Sequence, residues 1–476
     1  MKYHEKKEVC RMRRIVKKVI CLGACAAMMT ITLPGMPMKA RAASDVIIHW
    51  NDLKQEIDGF GVSQADWSHA IYDMQGPVRD EIMDLLFDPD KGIGASIFRG
   101  SVFADFNPVP GEYDFNTRPD QVWVMQQAQA RGVDKIIATN WSPPAWMKTN
   151  QSTTHGGYLK PECYGDYAGL LSGFIREYRQ RFGTDLYAIS MCNEPNSMKF
   201  LSWDSCEWNA TNIQVFLRDY LKQEMIDQGV ADTKVIAAEP SWWSEDLMKD
   251  ALNDPESCGR IDIVAAHNYP VPIINRELPT KPFKTAADKG KKVWMTEVSQ
   301  ENSYDAGMTS GLKFAKQIHH FMTDANVNAW LYWTGAIPGN NDEGLINVYK
   351  DTNTYQLTKR YYAFGNYSKY IRPGYVRIGA TDSPIRGVYV SAYKSPDTGE
   401  FTIVAVNDRD STAQLNVRPD GFAPARLTPY ITNDSLNMEP GRDIVSTDGK
   451  FQTALPPKSV ITFVGGKDSP AGLLGR

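Results

Sequence analysis

Between residues 57 and 370, short apolar runs rich in Val, Ile and aromatic residues alternate with amphipathic stretches of helical period, the pattern of repeated βα units. Eight runs predict strands: Ile57–Val62, Ala95–Arg99, Lys135–Asn140, Leu186–Asn193, Lys234–Glu239, Ile261–His267, Lys291–Glu297 and Ala329–Thr334. Helical patterns follow them at Val78–Phe87, Asp120–Arg131, Tyr164–Phe182, Ile213–Gln228, Glu245–Leu252, Lys284–Lys289, Ser310–Asp324 and Thr358–Tyr370. Eight strand–helix pairs over roughly 310 residues predict a closed (β/α)8 TIM barrel. The rival, an open doubly wound sheet, calls for a Gly-rich phosphate turn after the first strand. Gly59-Phe60-Gly61-Val62-Ser63 does not meet the G-x-G-x-x-G pattern.

From Arg372 the rhythm changes to alternating strand patterns at Gly374–Ile378, Val388–Lys394, Phe401–Val406, Gln414–Val417, Ala425–Thr432 and Ser459–Val464, separated by turns such as Ser395-Pro396-Asp397-Thr398-Gly399. The expected organisation is a barrel over 57–370 and a side all-β sandwich over 371–466, joined by a strand from 43–56, with a tail at 467–476.

The first 42 residues break the pattern. Lys2, Lys6, Lys7, Arg11, Arg13, Arg14, Lys17 and Lys18 form a basic start, followed by an apolar run from Val19 to Leu33 and the small-residue site Ala40-Arg41-Ala42. That order predicts a secretory signal peptide cleaved after Ala42, and hence an extracellular chain. The apolar run is about 15 residues, short of the roughly 20 that span a bilayer. A lipoprotein signal at Leu22-Gly23-Ala24-Cys25 is disfavoured because the run continues past Cys25.

Composition changes the picture in one respect. The chain has 52 basic and 56 acidic residues, but residues 1–42 hold ten basic and two acidic ones, which leaves 42 against 54 beyond them. An acidic chain without a basic stripe repels a phosphate backbone, so nucleic acid is an improbable partner and a neutral ligand is expected. Cys163, Cys192, Cys206 and Cys258 are too few for a disulfide scaffold, and no C-x-x-C pair occurs. His319 and His320 are adjacent on a helix and point apart, so a structural role is favoured over a metal site. No metal or cofactor is expected, and a monomer with no membrane attachment after cleavage is.

In such a barrel the chemistry belongs at the C-terminal ends of the strands. The fourth strand ends in Met191-Cys192-Asn193-Glu194-Pro195 and the seventh in Val293-Trp294-Met295-Thr296-Glu297. Two carboxyls facing one substrate, one protonated and one ionised, are what acetal cleavage needs. Glu194 and Glu297 are the candidate pair. Glu239 in Ala238-Glu239-Pro240 and Asp105 are third and fourth candidates with less supporting company. Trp141 follows the third strand, Trp330 and Trp333 lie on the eighth, and His267-Asn268-Tyr269 ends the sixth. Aromatic faces stack on sugar rings while Asn, His and Tyr bond hydroxyls, so together they predict a sugar cleft.

The runs Trp141-Ser142-Pro143-Pro144, Tyr187-Ala188-Ile189-Ser190, Asn193-Glu194-Pro195, Trp294-Met295-Thr296-Glu297 and Arg372-Pro373-Gly374-Tyr375-Val376-Arg377 resemble glycoside hydrolase family 30, and the C-terminal half is similar to its bacterial xylanase branch. The resemblance implies a (β/α)8 barrel with a β-sandwich and retaining hydrolysis without a cofactor. It implies Glu194 as acid/base, Glu297 as nucleophile, Asn193 on the sugar 2-hydroxyl, and Arg99 and Tyr269 hydrogen-bonded to the nucleophile. Retention predicts carboxyls about 5–5.5 Å apart.

One departure bears on substrate. The branch that cuts beside glucuronic acid carries basic residues after the eighth strand, whereas here Thr334-Gly335-Ala336-Ile337-Pro338-Gly339-Asn340-Asn341-Asp342-Glu343 has neither Arg nor Lys. The expectation is therefore an endo-β-1,4-xylanase acting on xylan or arabinoxylan of the plant cell wall independently of glucuronate. Glucuronoxylanase, exo-xylobiohydrolase, β-1,6-galactanase and glucosidase-like activities remain alternatives within the family, and a non-catalytic carbohydrate-binding protein is the alternative outside it.

Overall fold

The computed structural model describes residues 43–196, 201–300 and 303–466; the expected signal peptide and tail lie outside the described residues. The first strand, β1 (Ser44–Glu56), precedes eight parallel strands that close into a barrel in chain order: β2 (Gly59–Ser63), β3 (Ile97–Val102), β4 (Lys135–Asn140), β5 (Leu186–Ser190), β6 (Lys234–Ala238), β7 (Ile263–His267), β8 (Lys292–Glu297) and β9 (Ala329–Tyr332). Closure is made where Gly59 and Val62 of β2 pair with Ala329 and Tyr332 of β9. Strands buried on both faces read as continuous apolar runs, which is why all eight were visible as patterns.

The period of two sorts each strand between lumen and helix layer. Ile97, Ile137, Ala188, Ile236, Ile263, Ala265, Trp294, Ala329 and Leu331 form the apolar plug of the lumen. Gly61 of β2 has no room for a side chain there, since a Cβ would come within 2.7 Å of the Ile97 carbonyl oxygen and 2.8 Å of Leu331. Two residues further along, the same inward rows carry Arg99, Thr139, Ser190 and His267, all buried. The barrel is thus apolar at its base and polar beneath its mouth.

Helices at Pro77–Phe87, Pro119–Ala130, Tyr164–Phe182, Met308–Thr323 and Lys359–Ser368 cover the outside. Their inward faces meet the outward strand residues, among them Phe98, Ile136, Ile189, Val264, Met295 and Trp330. The predicted helix at Ile213–Gln228 is one stretch from Ala210 to Asp227 with a π turn at Leu217–Leu221. A three-stranded sheet that the pattern did not predict follows β9: β10 (Ala336–Pro338), β11 (Ile346–Tyr349) and β12 (Thr354–Leu357).

The side module is built from β1 and from β13 (Val376–Ala380), β14 (Val388–Lys394), β15 (Glu400–Asn407), β16 (Ala413–Asp420), β17 (Arg426–Thr432), β18 (Asn437–Pro440), β19 (Ile444–Val445), β20 (Phe451–Leu455) and β21 (Ser459–Gly466). Strand β1 pairs antiparallel with β13 and parallel with β16. Val46, Ile48 and Trp50 alternate into a separate core with Val390, Ile403, Val417 and Phe463. Asn366 of the last barrel helix bonds Thr462 at 3.0 Å and Thr432 at 2.6 Å, fastening module to barrel. No helix among the described residues is long and apolar enough to cross a membrane.

Candidate active site

The strand ends bring Glu194 and Glu297 together. Glu194 leaves the line of β5 in the left-handed region, φ 47°, which turns its side chain over the barrel mouth. Glu297 is placed by an irregularity: between the pairs Ala266↔Met295 and His267↔Glu297 the register slips by one residue at Thr296, a β-bulge that re-aims the following side chain. One oxygen of Glu194, one of Glu297 and a ring nitrogen of His267 lie within 4.8 Å of one another.

Glu297 has donors on both oxygens. The Arg99 Nη1–H donates to Oε2 at 2.6 Å and the Tyr269 hydroxyl to Oε1 at 3.1 Å. Arg99, fully buried, also donates from Nη2 to Asn193 Oδ1 at 2.7 Å and from Nε to Thr139 Oγ1 at 3.2 Å. Its guanidinium lies 4.6 Å from the Trp141 ring centre. His267 Nδ1 stands 3.0 Å from Glu194 Oε1.

The charges are set by burial and by neighbours in opposition. Burial pushes the Glu297 carboxyl up and the Glu194 charge adds to this, while His267 and Arg99 pull it down. The balance for Glu297 is upward, with the two short donors on its oxygens offsetting part of the cost of burying its charge. Burial opposes a charge on His267, but Glu297, Glu194 and Glu239 outweigh it and push the imidazole up to about 9.

The cavity above holds about 260 Å³ and is lined by Trp141, Asn193, Glu194, Tyr269, Glu297 and Trp333, together with Asp66, Trp67, Trp203, Ser299 and Glu343. Trp141 and Trp333 approach to 5.8 Å between ring centres. Trp333 Nε1–H donates to Glu343 Oε2 at 3.1 Å. Among the described residues neither Lys nor Arg lines this cavity.

Most sequence candidates therefore converge. Trp330 does not: it is fully buried in the helix layer against Tyr332 and Phe364, at 6.2 and 5.9 Å between ring centres. Residues 330 and 333 are three apart and a strand alternates with period two, so Ala329 and Leu331 take the lumen and only Trp333, past the strand end, reaches the mouth. Asp105 is exposed and paired with Arg118 at 2.6 Å, away from the cavity. His319 is buried at the junction with the side module, 5.4 Å from the Tyr389 ring centre, and His320 bonds Asp324 at 2.9 Å, so the two histidines serve packing. Cys163, Cys192, Cys206 and Cys258 are free thiols.

Reading from the sequence did not single out Trp67, Trp203, Ser299 or Thr139. The rule that strand-end loops carry the chemistry would have flagged Trp67 after the first barrel strand and Ser299 after the seventh. Trp203 lies nine positions beyond Glu194 in the sequence and leaves no comparable mark.

The chain is similar to several known proteins. Residues 57–342 match the family described as glycosyl hydrolase family 59. The whole chain is 30% identical over 466 residues to glucuronoxylanase XynC of Bacillus subtilis, covering 94% of this chain and 98% of that protein. The solved family 30 subfamily 8 xylanase Xyn30A of Clostridium acetobutylicum superimposes with a TM-score of 0.75 at 31% identity, over 89% of this chain and 99% of that one.

The chain is a glycoside hydrolase of family 30. Its barrel also belongs to the family 59 pattern, but that match stops at residue 342, whereas the family 30 likeness runs on through the side module. The catalytic domain of the family 30 xylanase C from Talaromyces cellulolyticus gives a TM-score of 0.77 at 25% identity over 88% of this chain and 99% of that one. The barrel with its all-β module is the family 30 architecture expected above.

Proposed function

We propose that the protein is a retaining endo-β-1,4-xylanase that cleaves xylan or arabinoxylan without needing a glucuronate substituent. The observation that carries retention is the approach of one oxygen each from Glu194 and Glu297 to within 4.8 Å. Inversion needs carboxyls about 6.5–9.5 Å apart, with room for a water between them. A sugar seated in the cavity against the Trp141 and Trp333 pair presents its anomeric carbon to Glu297 and its leaving oxygen to Glu194. Glu297, held as the anion by Arg99 and Tyr269, attacks the carbon and displaces the leaving oxygen, which takes the Glu194 proton. Glu194, now a carboxylate beside the His267 imidazolium, removes a proton from water, which attacks the same carbon and releases Glu297. Asn193, fixed by Arg99 at its Oδ1, turns its amide N–H groups toward the sugar 2-hydroxyl. No cofactor takes part.

Xylan as the substrate is supported by the names of the relatives, a glucuronoxylanase and several xylanases. Independence from glucuronate is supported by the cavity lining, which holds Glu343 and Asp66 and, among the described residues, no Lys or Arg to bind a substituent's carboxylate. The relative's name favours the second reading, an acid-dependent glucuronoxylanase. Digestion of linear xylan, glucuronoxylan and arabinoxylan separates them. The proposal expects a ladder of products from linear xylan, and products that start with the anomeric configuration of the substrate. Linear xylan that resists, with every glucuronoxylan product bearing its acid at one fixed position, would establish the second reading. Export is supported by the basic start, apolar run and Ala40-Arg41-Ala42 of the leader, and the mature chain should begin at Ala43 on N-terminal sequencing.

A further inference from the structure

Glu239 has no task in the reaction just derived, yet it occupies a place that mirrors Glu194. Each follows a barrel strand, each precedes a proline, and each takes the left-handed conformation, φ 47° at Glu194 and 50° at Glu239. The Glu194 backbone N–H donates to the Glu239 carbonyl oxygen at 2.9 Å, so the two strand ends are also locked together. Burial separates them. Glu194 lines the cavity, whereas Glu239 is wholly buried beneath it and reaches no substrate.

Its carboxylate meets the two cations of the site from below. Oε2 accepts from the Thr139 hydroxyl at 2.8 Å, and Oε1 lies 3.3 Å from Arg99 Nε and 3.7 Å from His267 Nε2. The far sides of these same cations hold the reacting pair, Arg99 on Glu297 and His267 on Glu194. Neither Glu239 Oε1 nor His267 Nε2 meets hydrogen-bond geometry with any described partner, so Oε1 is held by the ion-pair approaches of Arg99 and His267. His267 thus has a carboxylate in front of each ring nitrogen, an arrangement that asks for a proton on both.

We propose that Glu239 is a positioning residue that fixes the charge balance of the pair, holding Arg99 and His267 from beneath and offsetting their charge so that they do not draw the proton off Glu194. This rests on the reading of Glu194 as acid/base and Glu297 as nucleophile. Two cations, Arg99 and His267, face two anions, Glu239 and Glu297, so the buried cluster is neutral when Glu194 is protonated, the state in which it serves as acid. Without the Glu239 charge the two cations face Glu297 alone, and the cluster regains neutrality only by losing a proton from Glu194 or His267. Burial would raise the Glu239 carboxyl, but Arg99 and His267 hold it well below the usual carboxylate range, so it supplies its charge throughout the working range. The Cys192 thiol, packed nearby, is pushed well up by burial and stays neutral.

The test is the dependence of kcat/KM on pH for wild type, Glu239→Gln and Glu239→Asp on linear xylan. Removing the charge lets both carboxyls of the pair titrate lower, so the whole bell of Glu239→Gln moves toward acid by about one pH unit or more. At the wild-type optimum its activity falls about tenfold. Glu239→Asp keeps the charge on a shorter stem: its bell stays in place while kcat drops. A Glu239→Gln enzyme of reduced activity with unmoved limbs reduces Glu239 to packing and overturns the proposal. Should Glu239→Gln fail to fold, Glu239→Asp decides alone, since a bell displaced with the charge intact contradicts it. Failure of the underlying reading looks different: Glu297→Gln would still cleave xylan, which overturns the assignment of the pair and this role with it.

Discussion

Arg99 and Glu297 meet across the barrel mouth, guanidinium Nη1 to carboxylate Oε2 at 2.6 Å, with both side chains almost wholly removed from water. Arg99 contacts Glu297, Asn193 and Glu239 together, so it joins the ends of β3, β5, β6 and β8. Replacing it by Met leaves two buried carboxylates, Glu239 and Glu297, with His267 as their one remaining cation in this cluster. Arg99→Met is expected to cost about 3–5 kcal/mol of stability, read by denaturant unfolding, and to abolish hydrolysis. Arg99→Lys should not rescue it, because an ammonium cannot reach three acceptors that lie around one planar fork.

The raised pKa of His267 makes stability depend on pH in a definite direction. The folded value, about 9, lies above the ordinary 6.5, so the stabilisation is fully present below about pH 6.5 and is lost as pH rises through 9. The melting temperature should therefore decline between these values. In His267→Asn the decline in that window should flatten, while the melting temperature near neutrality falls.

His319 acts in the opposite sense. Burial holds it down to about 3, with His320 adding to this, so the unfolded chain takes up a proton that the folded one refuses. Stability from this site is complete above about pH 6.5 and drains away as pH falls toward 3. Because His319 lies between the helix Met308–Thr323 and Tyr389 of the side module, His319→Gln should soften acid unfolding of that junction. A thermal melt series from pH 7 to 4 compares the two proteins.

Glu343 tests the choice of substrate. Its carboxyl, raised by burial and bonded to Trp333, lines the cavity where a glucuronate would need a cation. Glu343→Arg should raise kcat/KM on glucuronoxylan relative to linear xylan by about tenfold, the return of one charge-assisted hydrogen bond. An unchanged ratio would show that decorated xylan binds with its acid elsewhere.

Much of the barrel was legible because parallel strands buried on both faces are short, apolar and rich in β-branched residues, as Lys135–Asn140 shows by matching its prediction to the residue. Strand ends were less so. Leu186–Asn193 stops at Ser190, since the chain must turn for Glu194 to face the cavity, and no propensity marks a left-handed glutamate. The strands β18 and β19 were missed because they are short and largely exposed, and β20 because only Phe451 and Leu455 at its two ends mark its buried face.

The sequence by itself determined the eightfold alternation, the all-β end and the two strand-end glutamates, because periodicity and position relative to a strand are local properties. The tertiary structure decided which face each side chain takes and what it meets there. A bulge at Thr296 aims Glu297 at the cavity, the parity of β9 sends Trp330 outward and admits Trp333, and Glu239 is turned from a candidate catalyst into the buried counter-ion of Arg99 and His267. Those outcomes depend on register between strands far apart in the chain and on which charges share one dry volume, and neither is written in the spacing of residues along it.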